Sequence, residues 1–149
     1  MTTVTLLALP GALGSTLTIP LEMLSAARDI ARSRRHPAAN LRTTIASDGL
    51  SSVELMGGIR LQCDAELPTL SSTSQSDIVF VPGFWGNPRA MLAKNEGIVS
   101  WLAEQRPSII CAITTGSYFV AEAGLLDDCD ATTHWRFFDD FEARYPTLN

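Results

Sequence analysis

Three short apolar runs, each stopped by a turn and separated by helix-length stretches, constrain this chain more than any other feature. Residues 4–9 end at Pro10-Gly11, residues 77–81 at Pro82-Gly83, and residues 108–113 at Thr114-Thr115-Gly116. Unbroken runs of this length, rich in Val, Ile and Leu, are the profile of strands covered on both faces. Residues 41–46 read as another strand. Residues 53–55 and 59–62 read as a small hairpin whose Gly57-Gly58 supplies positive φ. Polar residues 71–76 read as a surface loop.

The intervening stretches read as helices. Thr18 is a candidate cap, with Pro20 in the first turn, where its missing N–H costs nothing. Pro20, Leu24, Ala27 and Ala31 share one face, with Leu21 alongside. Arg28, Arg32, Arg34 and Arg35 gather at the C-terminal end, a solvated cluster favourable to the helix dipole. Pro88 begins a second helix, with Met91, Ile98 and Leu102 facing inward, Gly97 weakening it and Pro107 ending it. His134 and Trp135 open an aromatic helix on which His134, Phe138, Phe141 and Tyr145 recur on one docking face.

Strand, helix and strand at crossover spacing imply an α/β fold with a mostly parallel sheet covered on both faces. At 149 residues the chain suits one domain with a sizeable core. With 11 basic against 16 acidic residues, the net charge of −5 argues against a broad duplex-binding face on this piece. Cys63, Cys111 and Cys129, odd in number and without a C-x-x-C, read as free buried thiols in a reducing compartment. His36 and His134 do not cluster with them in sequence, so neither a metal nor another cofactor is expected. The start lacks a signal peptide's basic region, and no run reaches the length of a membrane span. The expectation is a cytoplasmic protein.

Ligands in such folds collect beyond the carboxyl ends of the strands, here residues 10–15, 82–87 and 113–116. Thr114-Thr115-Gly116 is a sharp strand-to-helix bend that projects a side chain into the crevice, with backbone N–H groups following it. Thr114 is a nucleophile only if a base activates it; otherwise it binds or is structural. Cys111, inside the strand, reads as a small hydrophobe. Phe84 and Trp85, after Pro82-Gly83, are a lid, a core plug or a dimer contact. His134 is the histidine available to the crevice.

Together LPG at 9–11, IPLEML at 19–24, DIVFVPG at 77–83, TTGSYFVAEAGLLD at 114–127 and ATTHW at 131–135 resemble the DJ-1/PfpI-like domain. The resemblance is to its form at the N-terminus of AraC-type transcriptional regulators, and it covers nearly the whole chain. It implies a flavodoxin-like three-layer sandwich, here truncated at the C-terminus, and a homodimer. The family's enzymes use an elbow cysteine with a carboxylate from the first strand–helix loop. Those positions correspond to Thr114 and Thr16, so no catalytic residue is expected. His134 matches the ATTHW histidine, and Glu22 an acidic helix position outside the catalytic pair.

The resemblance thus implies that residues 1–149 form a ligand-sensing and dimerisation domain. DNA contact would pass through a C-terminal helix-turn-helix part absent from this chain. The candidate binding residues for a small-molecule effector are Thr16, Gly83, Phe84, Thr114, Thr115, Gly116 and His134. The alternative is an enzyme of the superfamily, isonitrile hydratase-like or amidase-like. A stand-alone chaperone-like protein is a third reading, weakened by the missing elbow thiol.

Overall fold

The computed structural model describes residues 1–70, 76–105 and 109–148, save for the side chains of residues 68 and 69. In chain order these form β1 (Thr2–Leu7), α1 (Ser15–Ser33), β2 (Leu41–Ser47), β3 (Ser52–Glu54), β4 (Arg60–Gln62), β5 (Ala65–Glu66) and α2 (Leu67–Leu70). There follow β6 (Ile78–Val81), α3 (Pro88–Lys94), α4 (Glu96–Glu104), β7 (Ile109–Ala112), α5 (Ser117–Glu122) and α6 (Phe138–Arg144). Short 3-10 turns at Pro37–Ala39, Thr114–Gly116 and Trp135–Phe137 complete the path.

Five strands lie side by side in the order β5-β2-β1-β6-β7, and every pairing is parallel. β1 and β6 carry the driest positions: Leu6, Leu7, Val79 and Val81 are all fully buried, as their uninterrupted apolar runs require. From β1 the chain winds outward through β2 to β5, and from β6 it winds the other way to β7. The reversal opens a crevice beyond the carboxyl ends of β1 and β6. The β3–β4 hairpin stands apart as an antiparallel pair. Gly57 and Gly58 in its three-residue turn have φ of 86° and 81°, left-handed values that glycine adopts without steric cost. It is tied to the β1–α1 loop by Gly11 N–H to the Glu54 carbonyl and Met56 N–H to the Ala12 carbonyl, both 2.9 Å.

Several local expectations need correction. α1 starts at Ser15 behind Gly14, so Thr18 is inside the helix and Pro20 lies beyond the first turn. The early start follows from the loop before it: Leu13 N–H bonds the Gly83 carbonyl at 2.8 Å, delivering the chain to the helix sooner. Its inward face carries Leu17, Leu21, Leu24 and Ala31, and Ala27 is exposed. The single helix expected after Pro88 is two, broken at Asn95, whose side-chain amide donates to the Met91 carbonyl at 2.8 Å. Leu92 and Trp101 join Ile98 and Leu102 in the core. β7 is an edge among the described residues, and Ile109 is 52% exposed, so the expected burial fails on that side.

Of the thiols only Cys63 is buried; Cys111 is half-buried and Cys129 exposed. In the aromatic segment His134 precedes the helix, Phe138 is exposed, and Phe137, Phe141 and Tyr145 pack inward. Residues 71–75 and Pro107, read as a loop and a helix stop, lie outside the described residues. Ser76 is buried rather than on a surface loop, its hydroxyl 2.6 Å from that of Thr5. No helix among the described residues is long and apolar enough to cross a membrane.

Among the glycines, Gly116 makes the closest approach to neighbouring backbone. A Cβ there would lie 2.6 Å from the Val81 carbonyl oxygen and 2.8 Å from that of Pro82, both rigid backbone. Gly116→Ala should therefore cost about 3 kcal/mol, the upper part of the overpacking range, read as a lowered midpoint in urea unfolding.

Candidate functional site

The crevice is built by the turns after β1, β6 and β7. After β7 the chain bends at Thr114, whose φ of 50° is left-handed, a conformation that a β-branched residue enters only at a cost of about 1–3 kcal/mol. Tertiary contacts enforce it. The Thr115 hydroxyl accepts the Phe84 N–H at 2.8 Å and donates to the Phe84 carbonyl at 2.7 Å, so one buried side chain satisfies both main-chain groups of the facing turn. Gly83 leaves the space that Thr114 needs: a Cβ on Gly83 would stand 2.3 Å from the Thr114 Oγ1 and 3.4 Å from the Thr16 Cγ2.

Thr16, Gly83 and Thr114 are thus brought together. The Thr16 hydroxyl is already engaged, donating to the Leu13 carbonyl at 2.6 Å and accepting the Gly83 N–H at 3.2 Å. Thr114 is exposed, and among the described residues its hydroxyl has no hydrogen-bond partner and hence no base in contact. Phe84, Thr115 and Gly116 are buried and form the wall behind the crevice rather than its face. The Phe84 ring plugs the core edge-on to Phe119, with centroids 5.8 Å apart. Burial pushes the Cys111 thiol up from its ordinary value, away from thiolate reactivity.

The segment 131–137 closes one side. The Thr133 hydroxyl reaches toward the Thr114 carbonyl at 3.5 Å, a long contact. His134 Nδ1 accepts the Arg136 N–H at 3.3 Å, which leaves Nε2 as the donor of the neutral ring. The imidazole meets Trp85 edge-on at 5.9 Å, so His134 and the exposed Trp85 form the crevice rim.

Beyond that rim lies a cleft of about 570 Å³, lined by residues 85–89 together with Arg136, Phe137 and Asp140. Arg136 stands over the Trp85 ring at 5.5 Å. Arg89 meets Asp140 at 3.5 Å. The Asn87 side chain caps α3 by accepting the N–H groups of Arg89 and Ala90. Sequence reasoning missed Arg89, Arg136 and Asp140. A charged residue just after a strand-end turn was visible at 89, but nothing in the sequence joins it to residues about fifty positions later.

A polar lattice then fastens α6 to α5, the helix that begins at the elbow. The Tyr118 hydroxyl donates to Asp140 at 2.9 Å and the Tyr145 hydroxyl to Glu122 at 2.6 Å. Arg144 forks onto Glu122 through Nε and Nη2. Burial and the neighbouring carboxylates push both tyrosines well above their ordinary value, keeping them hydrogen-bond donors. Burial raises the Glu122 carboxyl, but the Tyr145 hydroxyl and Arg144 outweigh it and hold it below its ordinary 4.5.

Two outcomes follow. Thr115→Val leaves both main-chain groups of Phe84 without their partner and should destabilise by roughly 2–4 kcal/mol in denaturant unfolding. A carboxyl depressed in the fold stabilises above its unfolded pKa, and that contribution disappears as pH falls through the folded value. The Tyr118–Phe141–Tyr145 cluster should thus loosen as pH drops below about 4.5, seen in near-ultraviolet circular dichroism, and Glu122→Gln should flatten that change.

The DJ-1/PfpI family model matches residues 2–148. The HTH-type transcriptional regulator CdhR of Pseudomonas aeruginosa is 33% identical over 107 residues, a stretch that covers 70% of this chain and 30% of that regulator. The chain therefore matches less than a third of this relative's length. A candidate transcriptional regulator of Vibrio parahaemolyticus superposes with a TM-score of 0.78 at 26% identity, over 99% of this chain and 75% of that one. An AraC family transcriptional regulator from Pseudomonas putida gives 0.75 at 18% identity, over 100% of this chain and 75% of its own, a likeness of fold. With its parallel sheet, its glycine-lined elbow and a family match along nearly its entire length, the chain belongs to the DJ-1/PfpI family.

Proposed function

We propose that this chain is the non-catalytic ligand-sensing and dimerisation domain of an AraC-type transcriptional regulator. The observation that carries the reading is the elbow: a strained residue at the family's nucleophile position whose hydroxyl has no base beside it among the described residues. The resemblance puts Thr114 in the cysteine's place and Thr16 in that of its acidic partner, and the Thr16 hydroxyl is spent on the backbone. A threonine hydroxyl without a general base is a poor nucleophile. What is left is a concave, partly polar surface suited to holding a small molecule.

The likeness to regulators supports the same reading. DNA binding would belong to a helix-turn-helix part outside these residues, and the effector would act on it through the free-energy coupling that any such linkage requires. A second copy of this chain is the natural cover for the outer side of α1. There Ile19, Met23 and Ile30 are 55%, 68% and 53% exposed, at spacings that place them along one helix stripe.

The enzyme reading draws on the strained elbow, and one assay separates the two. Isonitrile hydration and amide hydrolysis by the purified protein should stay at background, with Thr114→Ala no different from the parent. Turnover abolished by that substitution would establish an enzyme instead. Met23→Asp should lower the solution mass from dimer to monomer in light scattering, and an unchanged mass would remove α1 from the contact.

A further inference from the structure

We propose that the cleft beside the elbow, between the 85–89 turn and α6, binds the carboxylate end of a small monocarboxylic acid through Arg89 and Arg136. This names the ligand class of the sensing function and rests on that reading only for its regulatory meaning. The cleft, about 570 Å³, has the size of a small-ligand site.

Its two cations come from elements far apart in sequence and remain available. Arg136 is fixed over the Trp85 ring, and among the described residues it has no carboxylate within ion-pair distance. A guanidinium held against an aromatic face keeps its N–H edge free for a planar, bidentate acceptor. Arg89 makes one long contact, 3.5 Å, to Asp140, and its side chain is 69% exposed. Asp140 is a fixed post, because its other oxygen accepts the Tyr118 hydroxyl at 2.9 Å.

The charge count selects the ligand. Two guanidiniums against one carboxylate leave the cleft one net positive charge, matched by a monoanion. Trp85 and Phe137 line the same space and offer an apolar wall for the body of the acid. Inorganic phosphate satisfies the arginines but has nothing to place against those rings. The acid would also bridge the turn after β6 to the segment leading into α6, which the Tyr118, Glu122 and Arg144 contacts join to the elbow helix.

The test is a titration of the folded protein followed by two-dimensional NMR, reading the Trp85 indole and the arginine side-chain N–H signals, with buried Trp101 as an internal reference. The probes are 3-methylbutanoate and phenylacetate, their uncharged amides, and inorganic phosphate. Saturable shifts at Trp85, Arg89 and Arg136 are expected with the two acids, and weaker or no shifts with the amides and phosphate. Arg136→Gln and Arg89→Gln should each weaken binding by about tenfold or more, while Arg32→Gln, on the far end of α1, should leave it unchanged. The proposal fails if neither acid shifts Trp85, if the amides or phosphate bind as well, or if both cleft substitutions leave the affinity intact. Acids that perturb Thr16 and Thr114 instead would overturn this site while leaving a sensor domain standing. Acid binding here by a protein that also turns over isonitriles or amides would uphold the site and overturn the non-catalytic sensor.

Discussion

The Thr115 hydroxyl accepts from the N–H and donates to the carbonyl of Phe84, and that pair holds the turn after β6 against the turn after β7. Much of the site's geometry depends on it. With the two turns locked, Thr114 is forced into left-handed backbone, and Gly83 and Gly116 must lack side chains to let the turns meet. The Gly83 carbonyl accepts from Leu13, and its N–H donates to Thr16, so the entry to α1 is set by the same knot. Strain of this kind persists only where surrounding contacts over-determine it.

From the knot, order passes outward along α5. Tyr118 lies one turn past the elbow and packs against Phe141 at 4.8 Å, while its hydroxyl ties Asp140. Glu122, one turn further, takes Arg144 and Tyr145. A buried tyrosine with a carboxylate acceptor satisfies a polar group that would otherwise be costly in the core. The exposed Trp85, the His134 rim and the Arg89–Arg136 cleft thus stand on a packed, hydrogen-bonded base.

The strands were legible because burial on both faces demands unbroken apolar runs, and the runs at 4–9 and 77–81 contain β1 and β6 to within a few residues. The hairpin was legible from Gly57-Gly58. The two-residue strand β5 carried no periodicity to detect. The start of α1 was misplaced because a side-chain cap was expected at Thr18, whereas a tertiary hydrogen bond from Leu13 brings the helix in behind Gly14. Burial of β7 was overestimated, since composition cannot say whether a strand has a neighbour on both sides.

The sequence alone determined the α/β layering, the three turns that meet at the crevice, and the threonine at the bend after the third apolar run. These are local facts: turn chemistry, apolar runs and the identity of one residue at a bend. Only the tertiary structure decided how those residues are used. It turned Thr115, Phe84 and Gly116 into a buried wall, engaged the Thr16 hydroxyl in backbone contacts, and left Thr114 exposed. It also set Arg89 beside Asp140, and Trp85 beside both His134 and Arg136. Pairings across about fifty residues arise from how the sheet brings its strand ends and covering helices together, and no local spacing encodes that.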